Sequence, residues 1–390
     1  MQPSSLRLAY FSPLPPQRSG ISDYSRDLLP HLANLAQVML FADDPALVVD
    51  ELQQQFEIRP YSDYPSLRDQ FDLPIYHLGN SPFHKNIYEM MMRYPGITVL
   101  HDYVLHHFLG DQNTWGNAVR YRREVGYAEG AQALFVPPDG DVYERPLNNR
   151  AIDLSLGIIA HSRYVADKIA ATHPRQPIAH IPHLMIRQKG EARRDILPFP
   201  DDGIIFATIG LVTQSKQIDL VLRAFAEVAA TTPNVFFLIV GDVLPEVDLE
   251  NMLAELNLRR RVYLAGYANG LQGFTDWIAT ADVIINLRYP TTGETSGTAL
   301  RAMATGKPVV VFNHGWYAEI PAEACVQLPP MDTAALQRAM EHLTRLAARR
   351  QAIGEHALQY IETVCNPQQA ARAYVDFAHT VLQKYGDGDA

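Results

Sequence analysis

Histidines and glycine-rich loops mark the stretches of this chain that could do chemistry. His101, His106 and His107 share the run HDYVLHH, and His77 and His84 lie upstream of it. Two metal-binding histidines on one helix stand three or four residues apart, as in HExxH, so that both imidazoles lie on one face. His101 is five residues from His106 and six from His107, which argues against a metal helix. His101 also ends an apolar run with strand composition. The pattern predicts a histidine at the mouth of a sheet, where an imidazole binds substrate hydroxyls or meets a developing charge. His106 and His107 read as partly buried helix residues.

Three loops have the composition of anion sites. In SPLPPQRSGIS, Ser12 to Ser22, Gly20 precedes a helix start. Free backbone N–H groups and a partial positive charge there suit a phosphate, and glycine permits close approach. A tight strand-to-helix turn accounts for the same residues equally well. In GLVTQSK, Gly210 to Lys216, the lysine stands where it could neutralise a diphosphate, or simply be solvated. The spacing matches neither GxxxxGK[ST] nor GxGxxG, so the main support for an NTPase or a dehydrogenase is missing. The third stretch, NLRYPTTGETSGTALRAMATGKPVVV, Asn286 to Val311, runs from a strand end through small residues to a helix start near Ser296, Gly297 and Thr298. Glu294 and Arg301 bring charge to it. The plainer reading is a capped helix with an ordinary ion pair.

The elements that must position these loops follow from periodicity. Short apolar runs at Leu6 to Phe11, Gln37 to Phe41, Leu73 to Leu78, Ile97 to Leu100, Leu156 to Ala160 and Pro177 to Ile181 alternate with helix-patterned stretches. Tyr24, Leu28, Leu32 and Leu35 fall on one helical face, with Ser22 or Asp23 as cap. After a polar stretch from Arg187 to Asp202 the rhythm restarts, with strands at Ile204 to Ile209, Val235 to Val240, Val262 to Ala265, Val283 to Asn286 and Pro308 to Phe312. Such alternation predicts parallel sheets covered by helices. The domains expected are 1–195 and 196–366. Helices over Asp332 to Tyr360 and Pro367 to Lys384 end the chain, and the segment 367–390 is expected to cross back onto the first domain. Ligands of open parallel sheets sit outside the carboxyl ends of the strands, so two such sheets facing each other define a cleft.

Composition narrows the function. At 390 residues the chain exceeds what one core usually supports. Its formal charge of −10 disfavours nucleic acid as a partner, since neutralising phosphates needs surplus Lys and Arg. Cys325 and Cys365 are too few for a disulfide framework and read as buried thiols of a reducing compartment. The start, MQPSSLRLAYFSPLPP, lacks the apolar core of a signal peptide, and no later run approaches the ~20 residues of a membrane span. The expectation is a soluble, cytoplasmic protein, with any membrane contact peripheral at the inner face. Trp115 to Arg150 interrupts the rhythm and carries Arg120, Arg122 and Arg123 beside Tyr121 and Tyr127. It reads either as a surface for a diphosphate or anionic headgroups, or as a solvated helix face.

Along nearly its whole length the sequence resembles the retaining glycosyltransferases of family 4. The resemblance rests on LAYFSPLPPQRSGISDYS, ITVLHD, GIIAHSRYVADKI, GLVTQSKQIDLVLRAF, VFFLIVGD, YLAGYANG and ALRAMATGKPVVV. It implies the GT-B fold, an α/β arrangement of two facing Rossmann-like domains with parallel sheets and an inter-domain cleft. It implies that Gly20 lends an amide to the donor phosphates, that Lys216 supports the same diphosphate and that His101 approaches the donor sugar. The amides of Thr295, Ser296, Gly297 and Thr298 match the loop holding sugar and phosphate, and Gly266 and Tyr267 match the loop beside the base.

The sequence departs from the family pattern at two places. Leu211 stands where the family usually has an arginine. Arg301 stands where a second glutamate holds ribose, and Glu294 is shifted by one position from the first. Arg288 or Arg301 is the expected substitute cation, and Glu294 the carboxylate for donor recognition. The resulting expectation is a metal-independent hexosyltransferase with no obligatory cofactor. It takes a UDP- or GDP-sugar donor and a saccharide or lipid-linked saccharide acceptor, in surface polysaccharide or glycoconjugate synthesis. The rivals are a nucleotide-sugar epimerase of the same fold and a nucleotide-sugar-binding protein without catalysis.

Overall fold

The structure, a computed structural model, describes residues 6–131 and 142–386. The chain forms two compact units. One comprises Met1–Leu184, Thr292–Thr295 and Asn366–Ala390, the other Met185–Thr291 and Ser296–Cys365.

The first unit is built on strands β1 (Arg7–Phe11), β2 (Gln37–Ala42), β3 (Ile58–Pro60), β4 (Leu73–Leu78), β5 (Ile97–Leu100), β6 (Gly157–Ala160) and β7 (Ile178–His180). Their order is β3-β2-β1-β4-β5-β6-β7, and every pairing is parallel. Successive side chains of a strand point to opposite faces. Leu8 and Tyr10 of β1 thus join one buried cluster, and Ala9 and Phe11 join another. A sheet buried on both faces explains why its strands read as continuous apolar runs. The helix Pro367–Gly386 covers one of these faces with Tyr374, Ala378 and Val381. Residues 387–390 of the C-terminal segment lie outside the described ones.

The second unit repeats the plan with β8 (Ile204–Ile209), β9 (Val235–Val240), β10 (Val262–Gly266), β11 (Val283–Ile285), β12 (Val309–Phe312) and β13 (Val326–Leu328). The order is β10-β9-β8-β11-β12-β13, again all parallel. Ile205, Ala207 and Ile209 face one cluster, while Phe206 faces the other. Cys325 and Cys365 are buried free thiols, and burial pushes each up to about 12. The stretch expected as one helix from Asp332 is two, Thr333–Arg345 and Ala347–Val364, because Leu346 leaves the helical region with ψ 83°. Among the described residues no helix is long and apolar enough to cross a membrane.

Candidate functional site

In a doubly wound sheet the ligand crevice opens at the carboxyl ends of the strands where the winding reverses. That point lies between β1 and β4 in the first unit and between β8 and β11 in the second. Each unit carries unusual chemistry there.

In the first unit the loop after β1 leads into the helix Gly20–Ala33, capped by Ser19, whose Oγ accepts from the Ile21 amide at 3.2 Å. The helix therefore begins earlier than a Ser22 or Asp23 cap would place it. Gly20 is its first residue and is exposed, and a Cβ there would meet no atom within 4 Å. The neighbouring strand ends carry a row of imidazoles: His77 in β4, His101 after β5, His161 after β6 and His183 beyond β7. His77 Nδ1 and His101 Nε2 are 2.9 Å apart. The His101 ring lies 4.8 Å from that of His161 and 5.0 Å from that of Tyr24. Tyr24 closes the row through a hydroxyl pair with Tyr374 at 2.8 Å. Burial, reinforced by neighbouring imidazoles, holds His77 and His101 well below the usual histidine range. Burial pushes His161 down to about 4. His77, His101 and His161 are therefore neutral at physiological pH. Among the described residues no group of three or more His, Cys, Asp and Glu side chains is placed to hold a metal ion.

Residues Thr292–Thr295 also belong to this unit. The Val104 amide donates to the Thr292 carbonyl at 2.8 Å. The Thr292 hydroxyl lies 3.0 Å from Asp102 Oδ1 and 2.7 Å from Glu294 Oε2, which also accepts from the Thr292 amide at 2.8 Å. Asp102 in turn accepts from the Asn80 amide at 2.8 Å. Glu294 is thus one hydroxyl away from Asp102, the residue after His101. Gly293 has φ 79°, and a Cβ there would fall 2.5 Å from Tyr103 Cβ, so the loop requires glycine on both counts. Of the sequence-predicted residues, His101, Glu294, Thr295 and Gly20 are in this unit.

The remaining predicted residues are in the second unit. Lys216 is buried at the carboxyl end of β8, its Nζ donating to the Ile209 carbonyl at 2.7 Å. Gly210 follows β8 with φ 92°. A Cβ there would lie 3.1 Å from Lys216 Nζ and 3.5 Å from Thr298 Oγ1, which places amine, hydroxyl and bare backbone together. Desolvation, with repulsion from Arg288 second, lowers Lys216 to about 7. Arg288 follows β11 and donates to Ser215 Oγ at 3.3 Å. The helix Gly297–Ala304 starts at the same end. Ser296 caps it by accepting from the Ala299 amide at 3.2 Å, and the Asn286 side chain holds the same hydroxyl at 3.1 Å. Arg301 is buried within that helix. Gly266 and Tyr267 stand apart at the end of β10, both exposed, where the register shifts and the Gly241 amide donates to the Gly266 carbonyl at 2.7 Å.

Reading single loops missed the groups that hold these residues: Asn286, Asp102, Thr292 and His77. Asp102 directly follows His101, and Asn286 opens the stretch already singled out. His77 and Thr292 are linked to the site only by tertiary register. In the basic surface segment, Arg120 and Arg150 both reach the buried carboxylate of Glu124, at 3.5 and 3.1 Å. Arg120 also lies over the Trp115 ring. Arg122 and Arg123 remain exposed, while residues 132–141 of that segment lie outside the described ones.

Residues 203–345 match the model of the glycosyl transferases group 1 family. Over 128 residues the chain is 26% identical to the O-antigen biosynthesis glycosyltransferase WclY of Escherichia coli, a stretch covering 33% of each protein. Over 121 residues it is 31% identical to the uncharacterized glycosyltransferase MJ1607 of Methanocaldococcus jannaschii, covering 31% of this chain and 30% of that one. The chain thus matches only a third of the length of these curated relatives. Similarity to solved structures extends further. Anabaena HepE in complex with UDP-glucose superposes with a TM-score of 0.68 at 15% identity, covering 97% of this chain and 100% of that one. WaaG, a glycosyltransferase involved in lipopolysaccharide biosynthesis, does so with a TM-score of 0.57 at 14% identity, covering 94% and 98%. Together with the two parallel sheets and their flanking helices, these likenesses show that the chain has the two-domain α/β fold of the GT-B glycosyltransferases.

Proposed function

We propose that this protein is a retaining glycosyltransferase that moves a hexosyl unit from a nucleotide-diphosphate sugar to a saccharide or lipid-linked saccharide, in surface polysaccharide synthesis. The observation that carries the reading is the cluster at the switch point of the second sheet. There a buried lysine, a hydroxyl and a helix start converge on the bare backbone of Gly210. Such a cluster can accept the charge of a departing nucleoside diphosphate, because fixed donors in a dry site need no reorganisation. The group 1 match over residues 203–345 and the UDP-glucose bound by HepE support the same assignment.

Lys216, Thr298 and the amides of Thr295, Ser296 and Gly297 hold the diphosphate in this reading. Gly20 contributes a further amide. Gly266 and Tyr267 flank the base, and Arg288 or Arg301 supplies the cation that Leu211 does not. His101 meets the donor sugar, and Glu294 recognises it or supports positive charge at its anomeric carbon. The phosphate work falls to lysine and amides, so EDTA is expected to leave turnover intact. Glu294→Gln should lose most of the turnover with the fold preserved, and Arg301→Ala should raise the donor's KM.

The deciding experiment measures nucleoside-diphosphate release from UDP- and GDP-sugars with and without acceptor. Acceptor-dependent release with the donor's anomeric configuration kept in the product is the expected result. Binding without release would overturn catalysis in favour of a nucleotide-sugar-binding protein.

A further inference from the structure

The contact between His77 and His101 determines which hydrogen-bonding face His101 presents. His77 is fully buried in the middle of the first sheet, its ring 4.7 Å from that of Tyr10 and stacked at 6.3 Å on that of Tyr374. The His84 Nδ1–H donates to the His77 carbonyl at 3.0 Å, fixing the end of β4. His77 Nδ1 and His101 Nε2 face each other at 2.9 Å with both rings neutral, so a single proton lies between them. His77 Nε2 is buried and has no hydrogen-bond partner among the described residues.

Two proton arrangements fit that contact. If His101 were the donor, the remaining proton of His77 would sit on Nε2 as a buried N–H with no acceptor. If His77 is the donor, its Nε2 is a bare acceptor. Orphaned buried N–H groups are rarer than under-satisfied acceptors. The second arrangement places the His101 proton on Nδ1, the nitrogen for which no hydrogen-bond partner is found among the described residues.

We infer that His77 is a positioning residue that fixes His101 as its Nδ1–H tautomer, so that His101 meets the donor sugar as a hydrogen-bond donor to a sugar oxygen. The inference rests on the assignment of His101 to the sugar made above. His77 itself touches no substrate. The neighbouring tautomers are set by similar means: His161 Nδ1–H donates to the Ile181 carbonyl at 2.9 Å and His183 Nδ1–H to the Leu184 carbonyl at 2.7 Å. Carbonyls and imidazoles thus leave His101 one orientation and one proton position.

The test uses the full chain. Nuclear magnetic resonance on isotope-labelled histidine separates protonated from bare ring nitrogens. His101 is expected to carry its proton on Nδ1, and a proton on Nε2 would overturn the inference. His77→Leu keeps the volume and removes the donor, whereas His77→Asn keeps an amide N–H near the place of Nδ1. The first should lower kcat/KM by about tenfold, the scale of one hydrogen bond to a reacting substrate, and the second should restore it to within about threefold at the same melting temperature. Loss of activity that tracks melting temperature in both variants would make His77 a packing residue only. Should His77→Leu not fold, the asparagine variant and the spectrum of the unaltered chain still decide. His101→Ala separates the two levels. Normal turnover in that variant removes His101 from the reaction and this inference with it. An inactive His101→Ala beside a fully active, equally stable His77→Leu removes the inference alone.

Discussion

The first six strands of each unit follow the same order, with one more strand at the edge of the first sheet, and each unit reverses its winding between its first and fourth strands, yet the two place opposite chemistry at that point. In the first, buried neutral imidazoles and tyrosine hydroxyls close over the strand ends, each fixed by a carbonyl or another ring. In the second, glycines keep backbone open around a buried amine and the start of a capped helix. The doubly wound sheet determines where a ligand lies, and the residues after each strand determine what it is. Imidazoles and hydroxyls suit an uncharged polyol, whereas a cation with free amides suits phosphate.

The largest expected consequence of this contrast is in stability against pH. A histidine whose folded value lies below the ordinary 6.5 binds its proton in the unfolded chain first. The unfolded state therefore takes up more protons as the pH falls, and stability is lost from 6.5 downward. His84 and His161, lowered to about 4, lose it across that whole window, and His77 and His101 act in the same direction. Each contributes up to about 1.4 kcal/mol per pH unit. Lys216 acts in the same direction but in a higher range. With a folded value of about 7 against 10.5 unfolded, it makes the second unit more stable as the pH rises from 7. Peptide-resolved hydrogen exchange between pH 6.5 and 5 should show protection falling in β4 to β6 of the first unit and holding in β8 and β9 of the second. Equal loss in both units would mean that the imidazole row is hydrated and the contrast is false.

A smaller effect concerns the donor. Lys216→Ala should weaken nucleotide-sugar binding about tenfold or more with folding unchanged, the usual scale of a charge-assisted bond to phosphate. Because burial holds this amine near 7, unmodified protein should also bind the donor less tightly above that pH. The slope should approach tenfold per unit, as one proton must be taken up on binding. Titration calorimetry at several pH values checks both points. An affinity that is flat with pH in the unmodified chain would place the diphosphate away from Lys216.

The alternation of strand and helix was legible because parallel strands buried on both faces must be continuously apolar, and β9 and β12 are such runs. The strands β3 and β13 were not, since Ile58–Pro60 and Val326–Leu328 are three-residue edge strands, one containing proline. Nor was the break at Leu346, where neither glycine nor proline marks it. The loops carrying Gly20, Lys216 and Ser296 stood out by composition. What holds those loops did not, because it depends on register. Thr292 reaches Asp102 across 190 positions and His77 reaches His101 across 24. Parallel pairing sets His77 beside Val99 in β5, leaving the imidazole of the next strand end within reach. No spacing along the chain encodes that neighbour.

The smallest expected effect sharpens the comparison at the helix starts. Ser19 and Ser296 both cap the helix that follows the switch point of their unit, each accepting one amide at 3.2 Å. Removing a serine cap costs about 1 kcal/mol where nothing else depends on it. Ser19 is half-buried, and among the described residues its hydroxyl makes only that cap, so Ser19→Ala should cost about that much. Ser296 is buried, and its hydroxyl also engages the side chain of Asn286 at 3.1 Å, so alanine there strands a buried amide as well. A buried polar group left without its partner adds about 1–3 kcal/mol. Ser296→Ala should therefore destabilise the second unit more than Ser19→Ala destabilises the first, and Ser296→Ala combined with Asn286→Leu should recover part of the difference. Chemical denaturation of the three variants measures it. Equal losses for the two serines would show that Asn286 finds another partner once the hydroxyl is gone. The second unit's helix start would then be no more tightly specified than that of the first.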